Sequence, residues 1–430
     1  FRSNGKTQEV EILTLEDCLR IGIDNNLSLE GKRKEIQRSK YGVSENRSKL
    51  LPQINAIAGY SNNFDPPVSV TDGSSYGVPY NITQTLQHSA NAGLEMQMPL
   101  FNQTLYTSMS IAKVMEEISR LSYGKAREDV ILQISKMYYL GQVTAEQIML
   151  IKANITRLEE LRDITQAFFD NGMSMEVDLK RVNINLENLK VQYDNAQAMM
   201  KQQLNMLKYI MDYPAEKEIA LTPVNTDSIT TVALTGLSEN IYELQLSQSQ
   251  VQLAERQKKI ITNGYIPSLS LTGSWRYAAY TDKGYHWFHS GPSNQWFRSY
   301  GVGLTLRIPI FDGLDKTYKI KKAMIDIENK RLAWEDARKN LQTQYLNAVN
   351  DLMNNQRNFK KQKDNYLLAE DVYAVTSDRY REGIASMTEV LQDEMQMSEA
   401  QNNYISAHYN YRVTNLMLLK LTGQIESLVK

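Results

Sequence analysis

Few side chains in this sequence are equipped for chemistry, and their spacing decides what chemistry is open to them. His286 and His289 stand three apart in Gly284-Tyr-His-Trp-Phe-His289, close enough for two imidazoles to share a metal ion. The Gly, Tyr, Trp and Phe around them favour an exposed aromatic loop tip over a metal site. The 18 methionines offer soft thioether ligands of the kind that select copper. They are spread through helix-forming stretches, however, where core packing accounts for them better. Cys18 is the one cysteine, which excludes an intrachain disulfide and a cysteine metal cluster. No Ser-His-Asp order, phosphate-cradling Gly-rich loop or paired metal-ligand motif is present. No enzyme, resident metal or cofactor is therefore expected. With 48 Lys and Arg against 49 Asp and Glu, no concentrated basic surface for nucleic acid is expected either. One carboxylate motif remains: Ser386-Met-Thr-Glu389 has the form of a capping box at a helix start.

The elements that carry these residues are long helices. No proline occurs between Pro99 and Pro214 or after Pro309, and Leu314 to Glu382 contains neither Gly nor Pro. At ~1.5 Å rise per residue, that last stretch makes a helix of roughly 100 Å. Its apolar residues alternate steps of three and four, as in Leu341, Tyr345, Ala348 and Leu352, the pattern of coiled-coil-like packing. Asn102 to Asp170 behaves similarly, with Gly124 and Gly141 as its only weak points. Mean hydropathy is −0.46, and no stretch approaches the ~18 apolar residues of a membrane-spanning helix. A helical membrane protein is excluded.

The chain also repeats itself. Leu51-Pro-Gln-Ile matches Ile266-Pro-Ser-Leu, and Gly93-Leu-Glu-Met-Gln-Met-Pro-Leu-Phe101 matches Gly303-Leu-Thr-Leu-Arg-Ile-Pro-Ile-Phe311. Gly172-Met-Ser-Met matches Gly383-Ile-Ala-Ser-Met, and Leu204-Asn-Met-Leu-Lys208 matches Leu416-Met-Leu-Leu-Lys420. Four blocks in one order, offset by roughly 210 residues, predict two tandem copies of one unit. The first, 1–211, holds a helix over 15–50, strands at 51–62 and 91–100, a long helix 102–169 and a helix 175–211. A linker, 212–236, follows. The second, 237–430, holds a helix over 237–263, strands at 266–278 and 299–310, a long helix 314–382 and a helix 387–423.

All four strands alternate. Leu94 and Met96 oppose Glu95 and Gln97; Leu269 and Leu271 oppose Ser270 and Thr272; Val302, Leu304 and Leu306 oppose Gly303, Thr305 and Arg307. Segment 54–61 alternates less cleanly, with Ile57 on its polar side. Apolar residues on one face and small or polar ones on the other are the mark of transmembrane β-barrel strands. Trp275, Tyr277, Tyr280, Trp296 and Tyr300 cluster near the loop ends, where an aromatic girdle would sit. Loops 63–88 and 281–298 would be the hairpin tips. Four strands cannot close a barrel, so a membrane setting requires several chains. The same alternation also fits soluble hairpins packed on helices, and a soluble helical scaffold protein is the alternative of a different class.

These motifs together resemble the outer-membrane efflux protein family, the TolC-like exit ducts of Gram-negative bacteria. The carriers are Leu13-Thr-Leu-Glu-Asp-Cys-Leu19 with Asn25-Asn26 after it, the two strand openings, Leu306-Arg-Ile-Pro-Ile-Phe-Asp-Gly313, and Gly383-Ile-Ala-Ser-Met-Thr-Glu-Val-Leu391. Cys18 stands where the family usually has alanine. The resemblance implies a mainly helical fold with a small β part: a periplasmic α-barrel of tandem-repeated long helices and a twelve-strand outer-membrane barrel shared by a homotrimer. It implies a passive exit duct for small molecules, contacting outer-membrane lipid, a periplasmic adaptor and an inner-membrane pump of RND or ABC type. A type I protein secretion duct has the same fold. No charged-then-apolar leader precedes Phe1, so a signal peptide is expected to have been removed or to lie outside this sequence.

By position, the resemblance also assigns a periplasmic aperture. The lock tyrosine falls on Tyr380, the first aperture acid on Glu389, and the second on Gln392 with Asp393 beside it. The first-copy counterpart is Asp178. The family's arginine position holds Ala385. Each has a plainer alternative: a packing role for Tyr380, a cap for Glu389, a solvated helix face for Asp393 and Glu394. Gly172, Gly383 and Ser386 read as the turns where the helices reverse.

Overall fold

The computed structural model describes residues 10–66, 68–72, 74–84, 86–223, 236–281 and 296–429. The chain is mostly helical and divides into two compact units, each gathered from separate stretches. One takes Phe1–Ile36, Ser119–Gln248 and Leu332–Lys430; the other takes Gln37–Ile118 and Ser249–Arg331.

The first unit is helical. A short strand β1 (Glu11–Leu13) leads into α1 (Leu15–Asn25), whose start is closed by a capping box between Thr14 and Asp17. The predicted helix over 15–50 is broken at Asn26, and α2 (Leu27–Ser48) follows. Asn26 makes the break worthwhile, because its side chain accepts from the Leu29 N–H at 3.1 Å and donates to the Ile210 carbonyl at 2.8 Å. The unit also holds most of α3 (Gln103–Asp170) and α6 (Asp315–Arg381), with all of α4 (Glu176–Met211) and α7 (Met387–Leu421). Leu19, Ile131, Ile134, Tyr138, Met211 and Leu416 form one core cluster, and Leu158, Leu161, Val182, Val390 and Met397 another. Cys18 is fully buried in the first cluster, and burial pushes its thiol up to about 12. Gly124, a weak point by helix propensity, is required by packing. A Cβ there would sit 2.4 Å from the Tyr242 ring.

Seven-residue spacing organises the packing. Along α7, Val390, Met397, Tyr404, Tyr411 and Leu418 are all buried. Facing them on α6 is a ladder at the same spacing: Tyr345, Leu352, Phe359, Tyr366, Tyr373 and Tyr380. Phe359 stacks on Tyr404 and Tyr411 at 5.8 Å each, and Tyr366 stacks on Tyr404 at 5.6 Å. A strict seven-residue seam keeps one stripe in contact over many turns.

The second unit is built on a sheet. Strands β2 (Gln53–Asn62), β5 (His88–Phe101), β7 (Ser268–Thr281) and β8 (Trp296–Arg307) are antiparallel in the order β2-β5-β7-β8. The remainder is the C-terminal part of α2, the first turns of α3 and α6, and most of α5 (Tyr242–Asn263). Two strand pairings escape the sequence pattern. Loop 63–88 contains a hairpin of β3 (Val68–Asp72) and β4 (Tyr80–Gln84), and β6 (Ile219–Leu221), inside the expected linker 212–236, pairs in parallel with β1. Both involve runs of three to five residues, too short for periodicity to register. Residues 224–235 of that linker and most of loop 281–298, with His286 and His289, lie outside the described residues.

Gly93 fits a close approach of β5 to β7. A Cβ at this position would lie 2.4 Å from the Trp275 carbonyl oxygen and 2.9 Å from the Arg276 Cα, both backbone atoms. At Gly301 the nearest atom is Ser274 Oγ at 3.9 Å. Gly93→Ala should therefore destabilise the sheet by about 1–3 kcal/mol, the usual cost of overpacking, while Gly301→Ala should be near neutral. Unfolding midpoints of the two variants in detergent check this contrast.

Candidate functional site

Two surfaces concentrate the residues singled out above: the sheet of the second unit and the helix-turn end of the first. In the sheet, register fixes the faces. Ile54, Met96, Gly273 and Val302 form one row across the strands, and Ala56, Leu94, Trp275 and Tyr300 the next. Leu271 pairs with Leu304 and Leu269 with Leu306 on the same side. Val302 is 80% exposed, Leu304 67% and Leu306 61%. The opposite face carries Gln53, Gln97, Thr272 and Gly303 in one row and Asn55, Glu95, Ser274 and Gly301 in another. Here Arg276 Nη2 donates to Glu95 Oε1 at 2.6 Å, beside an open polar concavity of about 520 Å³. Ile57 is the apolar exception on this face, as its place in the alternation predicts.

At the turns, α3 and α6 end alike. Gly172 and Gly383 adopt φ of +72° and +75°. The Met173 N–H reaches back to the Phe168 carbonyl and the Ile384 N–H to that of Arg379, both at 2.8 Å. This is the left-handed closure that glycine makes without steric cost. Beyond Gly383, Ser386 caps α7: its Oγ accepts from the Glu389 N–H at 3.3 Å. Glu389 Oε2 in return accepts from the Ser386 N–H at 2.7 Å and the Ser386 hydroxyl at 2.9 Å. Those two bonds, the backbone one first, hold the Glu389 carboxyl below its usual range. Oε1 takes part in neither, and the residue is exposed. Gln392 is exposed and Asp393 partly exposed, and at three and four residues on they share the Glu389 face of α7.

Tyr380 occupies the last rung of the α6 ladder and is 6% exposed. Its hydroxyl lies 3.2 Å from Thr165 Oγ1 on α3, and its ring 5.7 Å from that of Phe168. Because Thr165 Oγ1 itself donates to the Leu161 carbonyl, Tyr380 is the donor to it. Arg381 reaches Glu160 of α3 at 3.4 Å on the exposed side. Asp178, on α4, pairs with Arg181 at 3.3 Å, and Arg181 also donates to Thr388 of α7.

Glu394 departs from expectation. The alternative of a solvated helix face does not hold for it, because the residue is 4% exposed, and burial raises its carboxyl pKa against the attraction of Arg157. It begins a second seven-residue line on α7, Glu394, Gln401, His408 and Asn415, every member buried. Gln401 and His408 meet polar groups of α3, while Asn415 donates to the Tyr411 carbonyl of its own helix. Arg157 pairs with Glu370 at 3.0 Å and donates to Asn154; Asn154 donates to Gln401 at 2.7 Å. Tyr404 donates to Glu146 at 3.0 Å, and His408 lies 3.4 Å from the same carboxylate. Arg412 donates to His408 at 2.9 Å. The seven-residue spacing of these polar residues was the available signal.

An alternating two-faced sheet continuous in sequence with helices of such length is the make-up of a channel-forming protein. The chain belongs to the outer membrane efflux protein family, whose sequence model matches residues 21–211 and 233–424. It is accordingly a protein of the outer membrane and an efflux channel component. It is 21% identical over 399 residues to outer membrane protein TolC of Vibrio cholerae, covering 89% of this chain and 84% of the relative. It is 23% identical over 431 residues to the probable efflux pump outer membrane protein TtgC of Pseudomonas putida, covering 95% and 82%. Among solved structures, the fold matches CusC with a TM-score of 0.79 at 16% identity, over 98% of this chain and 95% of that one. It matches the open state of the Neisseria gonorrhoeae MtrE channel with 0.76 at 18%, over 95% and 88%.

One buried carboxyl of the first unit makes its stability depend on pH. Glu128 is 4% exposed and lines a cavity of about 200 Å³ with Leu132, Ile241 and Leu341 as well as Lys125, Lys136 and Lys420. Burial pushes its pKa from 4.5 to about 7, against the attraction of Lys420 and Lys125. The folded state thus binds this proton more tightly than the unfolded chain. The associated stability is full below pH 4.5 and is lost as pH rises through about 7. Glu128→Gln should remove that loss and leave the variant more stable than wild type by up to about 3 kcal/mol at pH 8. Denaturant titrations at several pH values check it.

Proposed function

We propose that this chain is the exit duct of a tripartite efflux pump, a homotrimer that closes one outer-membrane barrel and passes small molecules without chemistry. The observation that carries this is the second unit's lack of a core of its own. Among the described residues, its buried apolar side chains are Ala112, Ala254, Ala279, Ala323 and Ile327. Meanwhile its sheet exposes Val302, Leu304 and Leu306 on one face, and among the described residues β2 and β8 have unpaired outer edges. Lipid can cover the apolar face, but only other strands can satisfy the edges. Three copies supply twelve strands, an even number as such barrels have. The polar face then lines the lumen, with the Glu95–Arg276 pair on its wall.

The halves 1–211 and 237–430 are proposed to be tandem copies joined by 212–236. The matching glycine turns and the paired stretches covered by the family model support this division. A periplasmic adaptor and an inner-membrane pump, RND-type or ABC-type, would deliver the cargo at the helical end. Small-molecule cargo is favoured because two similar proteins are named for antibiotic and toluene efflux pumps. Particle size in mild detergent tests the barrel. Wild type and Thr305→Arg should run as trimers. Leu304→Arg should not assemble in the membrane, since a lipid-facing arginine near the midplane costs about 2–4 kcal/mol per chain. A monodisperse wild-type monomer, or equal tolerance of both substitutions, would overturn the proposal.

At the turn end, Glu389, Gln392 and Asp393 are proposed to face the aperture, with Asp178 in the first repeat. Tyr380 is proposed to hold α6 to α3 there through Thr165. Three symmetry-related Glu389 carboxylates around one axis would favour and bind cations. Glu389→Gln keeps the capping geometry, because glutamine serves that position too, but it removes three charges. Planar-bilayer recordings should then show weaker cation selectivity and weaker block by multivalent cations, with stability nearly unchanged. Unaltered selectivity would assign Glu389 to capping alone.

A further inference from the structure

Among the described residues of the sheet, one arginine and no lysine stands on the apolar face, which also carries His88. Register pairs Arg298 with Tyr277, on the side of Trp275, Tyr300, Val302, Leu304 and Leu306, whereas Arg276 and Arg307 lie on the polar side. Arg298 is exposed, and its guanidinium carbon lies 5.9 Å from the centre of the Tyr300 ring, within reach of a cation–π contact. Arg276 is matched by Glu95, but among the described residues no carboxylate pairs with Arg298.

Its depth is informative. A lipid-facing arginine is strongly disfavoured at the bilayer midplane and nearly free of cost at the boundary. From Arg298 to Ile308, itself 56% exposed, the chain advances about 33 Å at ~3.3 Å per residue. With a strand tilt of about 40° that covers about 25 Å of depth, the height of the apolar band of such barrels. Arg298 therefore falls at the boundary on the hairpin side, among the aromatic residues that favour this level.

We propose that Arg298, beside the Tyr300 ring and opposite Tyr277 in the ladder, binds the phosphate of an anionic lipid headgroup in the leaflet at the hairpin end. This rests on the lipid-facing assignment of the apolar face. Guanidinium donates two parallel N–H bonds to phosphate oxygens, a geometry that ammonium cannot reproduce. A headgroup with uncompensated phosphate charge is the fit, because the phosphate of a zwitterionic lipid is already offset by its own cation.

The test uses the full chain in vesicles of phosphatidylcholine with and without diphosphoryl lipid A, and measures by mass spectrometry the lipid A retained per protein after washing. Arg298→Gln should retain about fivefold less than wild type, the loss of about one interfacial charge contact. Arg298→Lys should fall between them, and Arg307→Gln, on the polar face, should match wild type. Excess inorganic phosphate should leave retention unchanged. Equal retention by wild type and Arg298→Gln, or displacement by inorganic phosphate, overturns the proposal. Should Arg298→Gln fail to assemble, the Lys variant decides: retention equal to wild type counts against the guanidinium. A fluorophore on Val302→Cys, read with brominated lipid, separates the two levels. Absence of quenching refutes the lipid-facing assignment and the site with it, whereas quenching with unchanged retention refutes the headgroup site alone.

Discussion

Backbone amides at the rim of a sheet must bond to something, and hydrocarbon offers nothing. In the second unit β2 and β8 present those rims, while the faces between them differ: aliphatic side chains on one, Gln, Asn, Ser, Thr and glycine on the other. A sheet meant for a soluble core would bury its apolar face against its own chain. Here Val302 and Leu304 are among the most exposed apolar side chains of the unit, and the covered ones are mainly alanine. Satisfying the amides and covering the aliphatic face require two different environments, neither of which the described residues supply. The proposed assembly of several chains answers both demands at once.

The first unit answers a different demand. Helices of more than thirty residues drift out of contact unless their contact stripe follows a left-handed supercoil, and a seven-residue repeat produces that supercoil. On α7 one line of the repeat is apolar and aromatic, and the other is Glu394, Gln401, His408 and Asn415. Buried polar residues on a seam lower stability relative to aliphatic ones, yet they penalise every misregistered alignment that leaves them unpaired. Asn154 with Gln401 is such a register-dependent pair, and Tyr404 of the aromatic line adds another with Glu146. The aromatic ladder on α6 adds a register-dependent bond of its own, from Tyr380 to Thr165.

Much of this was legible in the sequence because alternation and proline spacing are properties of a single segment. Strict period-two patterns named Leu269, Leu271, Val302, Leu304 and Leu306 as one face without knowledge of their neighbours. The absence of Gly and Pro announced α6 nearly to its final residue. What stayed hidden depends on relations between distant segments. The β1–β6 pair joins two three-residue runs, neither with enough period to register alone. The Asn26 break is stabilised by a carbonyl of α4, far along the chain.

Glu394 shows where such reasoning runs out. Charge at a helix surface position is ordinarily a sign of solvent, and beside Asp393 it carries no local mark to the contrary. Its burial follows from phase: it lies four residues after Val390 and three before Met397, inside the stripe that contacts α3 and α6. Asp393, one residue earlier, turns away from that stripe and shares the exposed face of Glu389 and Gln392. Adjacent carboxylates on one helix thus differ in burial, Glu394 buried and Asp393 partly exposed, about 100° apart around the axis. The proposed aperture acids and the buried polar line are therefore separate systems on one element, and a change at Glu389 or Asp393 can alter charge at the surface without disturbing the alignment that Glu394, Gln401 and their partners maintain inside.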